Sequence, residues 1–437
     1  MALSRSTMRM FFIVNECLLR SNTPFPRATA RCLSSNLPSF VRERLNKAPA
    51  VPAAVKLRSR LQSTATGSGS ESDSGSDGKP SPLRSVTKVK SWPFELSTPF
   101  GKLMIKQTWF PTRIVPTNPH DYPAADRVFV HLLSSSDTSL GGGGTTSGSE
   151  EIAQLDSKIL EDVINSVQCS LDEQGIHLTH KKLADVSSLA FIIEVPTCYD
   201  IQVSSSGSGH ISVENLENEE CSIESEDGNI TLKSMKAAHV NITSRSGDIT
   251  CVKALQGSGV IATGHQGKVT TDRLQGLDFE ITTDAGAVHI KDIYSRTATV
   301  TSANGPITIQ NMHTVCKITS TADVNVGCVE GVLSATLSGS GSFKGYLSRH
   351  DSAEIQTDKG NIEIRVPEEC RSHVHLEAKE VDIDSALVFR STKPSDSHAT
   401  IGELNGGGEE AKITAQTQEG SISVKTQSWF DSLGLAR

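Results

Sequence analysis

Nine cysteines and thirteen histidines are the side chains with most chemistry to offer, and their spacing decides what they can do. The cysteines are odd in number and include no CxxC pair, which fits free thiols in a reducing compartment better than a disulfide framework. Cys221, Cys251 and Cys316 hold alternating positions where neighbouring segments carry Val, Ile or Phe, so they are expected to point inward as small apolar groups. A thiolate nucleophile needs an exposed, electropositive setting that the acidic body of this chain does not offer. Cys169, Cys198, Cys328 and Cys370 receive no role. His373-x-His375, with Cys370 nearby, and His177-x-x-His180 could each bring two zinc ligands together, but neither has the paired spacing of a structural zinc site. They read as solvated surface histidines.

Carboxylates matter because β-helical enzymes that cut polysaccharides stack acids on adjacent rungs. The position two before each repeat glycine runs Glu226, Arg245, His265, Asp284, Ala303, so no acidic pair is stacked. Asp382-x-Asp384 shares a strand face without a further acid. Gly207-Ser208-Gly209 is followed by neither Lys-Ser/Thr nor a GxGxxG context, so it is no phosphate loop. No catalytic residue, metal ligand or cofactor is assigned, and the chain reads as a non-enzyme.

The elements that must carry these residues repeat. A glycine followed by alternating apolar residues stands at Gly209-His210-Ile211-Ser212-Val213 and again at Gly228-Asn229-Ile230-Thr231-Leu232. It recurs at Gly247, Gly267, Gly286 and Gly305, with spacings of 19, 19, 20, 19 and 19 residues. One copy, Ala322-Asp323-Val324, lacks its glycine. The pattern resumes at Gly341 and Gly360, and a last copy, Gly420-Ser421-Ile422-Ser423-Val424, follows an irregular stretch. Such short units cannot close a core alone; stacking them about 4.8 Å apart buries a continuous column. The reading is a mainly β chain: a parallel, β-helix-like β-solenoid of about 19-residue repeats with N- and C-terminal capping segments. An antiparallel sandwich stays open as the alternative. The Gly-Asn and Gly-Asp corners are expected to need positive φ. Outward positions Ser212, Thr231, Thr250, Thr270, His289 and Thr308 form a threonine-rich ladder explained by strand propensity.

The string Phe191-Ile192-Ile193-Glu194-Val195-Pro196, the run Ser206-Gly207-Ser208-Gly209 and the rung Gly360-Asn361-Ile362-Glu363-Ile364-Arg365-Val366-Pro367 resemble the "putative-adhesin" β-repeat domain family. Tyr122-Pro123 with Asp126-Arg127-Val128, and the tail Gln427-Ser428-Trp429-Phe430-Asp431-Ser432-Leu433, are similar to the narrower vertebrate family with sequence similarity 185. The resemblance covers about residues 92–437. It implies a β-repeat fold and a mitochondrial setting, and brings no catalytic residues.

Charge is divided unevenly. Residues 1–63 carry a net +9, with Glu16 and Glu43 as the acids, while the remainder carries −17. An Arg-rich, acid-poor leader of this kind reads as a mitochondrial transit peptide, cut after Leu33 or near Ser63. A secretory signal built on Met10–Val14 is the alternative; its apolar core is short and interrupted by Asn15 and Glu16. Residues 64–90 read as a Ser/Gly/Asp linker, 91–190 as an N-terminal capping segment with a Gly-rich loop at 134–149, 191–385 as the repeats, and 386–437 as a final rung and C-terminal cap. Ile152, Leu155, Ile159 and Val163 suggest a short amphipathic helix. No apolar run reaches the eighteen or so residues of a membrane span. The acidic body disfavours nucleic acid.

The function these features support is a non-catalytic mitochondrial scaffold with unknown protein partners, Trp429 and Phe430 being candidate partner anchors or a core plug. A secreted glycan-binding or carbohydrate-active protein and a mitochondrial hydrolase with an unrecognised site are the alternatives.

Overall fold

Alternation along Ile230–Ser244 sends Ile230, Leu232, Val240 and Ile242 inward and Thr231, Asn241 and Thr243 outward. Register irregularities at Lys233–Met235 and Ala237–His239 bend this one strand twice, so a rung wraps its core in three straight pieces. Met235 and Ala237 fill the middle piece. The computed structural model describes residues 86–135, 157–181, 188–392, 399–407 and 411–427, within a unit spanning Pro80–Arg437. The leader and residues 64–85 of the linker fall outside the described residues, as do Trp429 and Phe430; residues 86–90, read as linker, instead begin the strand Val86–Glu95.

The body is a β-solenoid of about nine turns with about 19-residue spacing. Its rungs are β10 (Glu217–Ser225), β11 (Ile230–Ser244), β12 (Ile249–Thr263), β13 (Val269–Thr283), β14 (Val288–Ser302), β15 (Ile307–Ser320), β16 (Val324–Leu337) and β17 (Phe343–Thr357). Each pairs in parallel with the next, equivalent residues side by side, as in Ile230↔Ile249 and Val269↔Val288. Parallel stacking excludes the sandwich. Buried Val, Ile, Leu, Ala and Cys form one unbroken column along the stack, which is why a chain so poor in aromatics still has a core.

Both ends depart from chain order. At the front, β2 (Lys102–Thr108) and β3 (Thr112–Pro116) form a rung inserted between two that come later. β2 lies between β6 (Gly175–Thr179) and β8 (Asp200–Ser205), and β3 between β7 (Leu189–Val195) and β9 (Ile211–Glu214). β1 (Val86–Glu95) and β4 (Arg127–Ser135) close that end as antiparallel strands, with β5 (Gln168–Leu171) beside β6. At the rear, the chain leaves β18 (Ile362–Val366) and builds β19 (Ser372–Glu377) and β20 (Glu380–Ile383). It then makes an antiparallel pair, β21 (Phe389–Ser391) and β22 (Ala399–Leu404), the latter also antiparallel to β19. Its last strands, β23 (Lys412–Thr417) and β24 (Ser421–Thr426), return inside: β23 lies between β17 and β19, and β24 between β18 and β20. The segment read as a front cap thus also supplies a rung of its own, and the final rung is not the terminal layer.

The corner glycines correct the sequence reading. None of Gly209, Gly228, Gly247, Gly267, Gly286, Gly305, Gly360 or Gly420 has a left-handed φ. Their requirement is close approach: a Cβ on Gly267 would stand 2.6 Å from the carbonyl oxygen of Gly247, and on Gly286 it would overlap that of Gly267. Left-handed residues lie at the bends, as Ser234 (φ 53°) and Lys253 (φ 65°), and in two corners they stand two places before the glycine, as His265 (φ 48°) and Gly339 (φ 87°). Asn and Asp after the glycine serve the ladder: Asn229 Oδ1 accepts the N–H of Asp248 at 2.9 Å, and Asp248 Oδ1 accepts that of Lys268 at 2.8 Å.

A column of buried hydroxyls pins the same corner. Ser225 Oγ donates to Gly228 O at 2.9 Å, Thr283 Oγ1 to Gly286 O at 3.0 Å and Thr357 Oγ1 to Gly360 O at 2.8 Å. The N–H groups of Gly247 and Gly305 donate to Ser244 and Ser302 Oγ, both at 2.9 Å. In these corners a buried hydroxyl gives a backbone carbonyl or N–H its partner, while in the corner before Gly341 the same position is held by buried Leu337. The helix also differs from the reading: α1 spans Ser157–Ser166, with Val163 buried, Leu160 and Ile164 packed on the core and Ile159 exposed. Ile152 and Leu155 lie outside the described residues.

Candidate functional site

The groups singled out for chemistry are mostly sealed. Cys221, Cys251 and Cys316 point inward, and burial pushes each thiol up to about 12. They stay protonated at physiological pH, so a thiol reagent that labels unfolded chain at these three cysteines is expected to leave them untouched in the native protein. Peptide mass spectrometry after a timed pulse checks this. Cys169, half-buried beneath the front cap, is likewise pushed up to about 12.

Histidines divide by position. His373 lies on the outer side of β19, its Nδ1 3.7 Å from Glu403, and His375 is two residues on along the same strand. His177 Nε2 sits 2.8 Å from Asp172 Oδ2. His180 is not the surface group expected: it is buried, stacked on Phe110 at 4.5 Å, and its Nε2 accepts the Trp109 N–H at 3.0 Å. No group of three or more metal-binding side chains occurs among the described residues.

Burial also lowers the pKa of His131, His180 and His350, desolvation being the main cause in each. An unfolded imidazole titrates near 6.5, so below that pH the unfolded chain takes up protons that these folded sites resist. Their contribution to stability is complete above pH 6.5 and is lost as pH falls. Melting temperature is expected to drop between pH 7 and pH 5, and His350→Gln, which keeps a hydrogen-bond partner for Ser372, should flatten that slope.

His350 Nε2 lies 3.1 Å from Ser372 Oγ, which is 3.4 Å from Cys370 Sγ. A hydroxyl on an imidazole is the pairing of a nucleophile and its base. Ser372, however, is fully buried and holds the loop before β19 onto β17, so no substrate carbonyl reaches it.

The open feature is a groove along the glycine corner. Its floor is the outward column four or five residues before the glycine (three before Ala322 in the rung without one), with Thr243, Ala262, Thr282, Thr301, Thr319, Thr336, Gln356 and Gln416 in lateral register across eight rungs. At the strand spacing this uncharged track runs about 34 Å. Glu224 stands beside Thr243 at one end and Glu377 beside Gln416 at the other. The turn forms the rim, with Glu226, Arg245 and Asp284 at the front and Asp358 at the rear. The groove deepens at each end, to a hollow of about 520 Å³ over Ser204–Asp284 and one of about 220 Å³ over Thr336–Gln418. Asp284 Oδ2 also accepts the His265 N–H at 3.0 Å.

A scan of residues 186–256 and 252–425 matches one family model, Toastrack DUF4097, over more than half of the chain. The chain belongs to the Toastrack DUF4097 family. Solved structures similar to this Toastrack chain include a putative adhesin of Bacteroides fragilis, 9% identical, covering 79% of this chain and 99% of that one at a TM-score of 0.25. A putative adhesin of Parabacteroides distasonis is 10% identical, covering 78% and 97% at a TM-score of 0.32. A putative cell adhesion protein of Clostridium sporogenes is 8% identical, covering 78% and 100% at 0.15. The family match, not these neighbours, makes the assignment.

The rim acids of the Toastrack groove are not stacked on adjacent rungs. Glu226 and Asp284 are three rungs apart, about 14 Å along the stack, beyond the 6.5–9.5 Å of inverting carboxylate pairs. Glu224 and Glu226 share a rung, and both stand in open solvent. In the sequence the threonine ladder stands out after the glycine, whereas the floor lies before it, at the end of the preceding strand. Its signal is a recurrent Thr or Gln four or five residues before the glycine, in most rungs adjacent to a buried Ser or Thr.

Proposed function

We propose that this Toastrack protein is a non-catalytic interaction or scaffold protein of mitochondria that docks an extended partner along the glycine-corner groove. The observation that carries the reading is the uncharged Thr/Gln track with a hollow at each end. β-Branched threonines on a rigid sheet have little rotamer freedom to lose, so contact along the track costs little ordering. A flat polar surface of this kind suits an extended protein segment better than a compact small molecule, which needs an enclosing pocket.

The mitochondrial setting rests on the +9 leader before an acidic body. The resemblance to the narrower vertebrate family with sequence similarity 185 rests on Tyr122-Pro123 with Asp126-Arg127-Val128 and on the tail from Gln427. Imaging of tagged full-length protein, with and without residues 1–63, tests the location: the organellar signal should vanish on deletion, and glycosylation at Asn229 or Asn241 would contradict it. Proximity labelling from the full-length protein, with and without charges placed in the groove, tests the docking.

A further inference from the structure

We propose that residues 412–426 are an exchangeable rung, and that the slot they fill accepts the same segment of a second copy to give a reciprocal strand-exchanged dimer. The slot is open to a strand on both sides. β23 meets Ser352–Thr357 along one edge and His373–Glu377 along the other, while β24 meets Ile362–Val366 and Glu380–Ile383. The two flanking rungs are built by earlier residues, and the outer one, β19 with β20, is laddered to the body through this segment, so a replacement strand must offer the same pairing on both edges. Edges of this kind attract whatever strand fits.

The fit is narrow. Ile413, Ala415, Ile422 and Val424 must point inward to complete the core. Thr417 Oγ1 must donate to Gly360 O at 3.0 Å and accept the Gly420 N–H at 3.0 Å. Position 420 must be glycine, because a Cβ there overlaps Gly360 O. The sequence certain to meet these demands is residues 412–426 of another molecule, which is the argument for a second copy as occupant.

The hinge supplies an independent reason. Asn405 (φ 50°), Gly406 (φ 86°) and Gly407 (φ 68°) are three left-handed residues in succession, between β22 and β23. Asn405 is anchored, its Nδ2 donating to Glu368 O at 2.7 Å and Cys370 O at 2.9 Å, and its Oδ1 accepting the Val388 N–H at 3.1 Å. Those bonds survive exchange. The turn is closed by the Gly407 N–H donating to Leu404 O at 3.0 Å, and around Gly406 a side chain would meet no atom within 4 Å, so opening the hinge breaks one backbone bond and leaves the anchored Asn405 in place. Tight hinges of this type favour swapping when they open.

The test uses the full chain carrying Glu354→Cys and Thr414→Cys, outward neighbours in register across β17 and β23. Parallel neighbours about 4.8 Å apart lie within reach of a disulfide. Dilute protein should oxidise to a monomer with an internal 354–414 link, which also reports that the rung is seated. Warm incubation at high concentration before oxidation should yield a covalent dimer on a non-reducing gel, with the same link found by peptide mass spectrometry. Its fraction should match the dimer seen by size exclusion. Adding Gly406→Pro, whose ring forbids the left-handed hinge, should raise that fraction severalfold. A link that stays internal at every concentration, or a dimer that falls apart in non-reducing denaturant, overturns the proposal. Those readouts on the unaltered hinge decide it even where the proline variant fails to fold.

Discussion

Gly286→Ala is expected to destabilise the protein by about 3–4 kcal/mol, large for the addition of one methyl group. The new Cβ would overlap the carbonyl oxygen of Gly267 on the rung below. Backbone cannot yield there without opening the parallel ladder between β13 and β14, whose residues pair from Val269↔Val288 to Thr283↔Ser302. Thr283 Oγ1 would lose its 3.0 Å bond to Gly286 O as the corner shifts. Gly406→Ala is the control, since its position is open and left-handed; strain alone should cost about 1–2 kcal/mol. Urea unfolding followed by circular dichroism measures both. Equal, small losses would mean that the corner is looser than the stacked carbonyls indicate.

Val424→Asp should act as strongly, by about 3–5 kcal/mol, and in a defined place. Val424 is buried in β24 between Ile364 of β18 and Ile383 of β20. A carboxylate there has no partner and must either drag water in or leave the stack. If it leaves, the rung formed by β23 and β24 goes with it, and β19 and β20 lose their inner neighbours. Hydrogen exchange should therefore accelerate over 372–383 and 412–426 while 249–320 stays protected, because solenoid rungs depend chiefly on their nearest neighbours. Uniform acceleration along the whole chain would show instead that the solenoid unfolds as one unit.

The body of the solenoid was legible because its information is local. A glycine about every 19 residues, two inward residues after it and inward cysteines at Cys221, Cys251 and Cys316 all follow from period-two alternation. The cause of the glycines was not legible. Close approach depends on the carbonyl of another rung, and the sequence alone suggested a left-handed corner. Gly420 was recognised as a repeat copy, but its place between rungs formed by Ile362–Val366 and Glu380–Ile383 depends on pairings across sixty residues of chain. The burial of His180 likewise needs Phe110, which the sequence places seventy residues away. The corner groove was half visible: its threonines were in the repeat, but only stacking in register turns them into a continuous floor.

The central claim is that this floor is where the protein meets its partner. Thr282→Arg with Thr319→Arg places two charges on it through outward side chains, and such surface changes should move stability by less than about 0.5 kcal/mol each. The decisive measurement is proximity labelling in cells from full-length wild-type and double-variant chains expressed at equal level, with the variant's melting temperature checked in parallel. A set of proteins labelled by the wild type and lost from the variant, at unchanged melting temperature, is the result the groove requires. Identical labelling by both chains would contradict it.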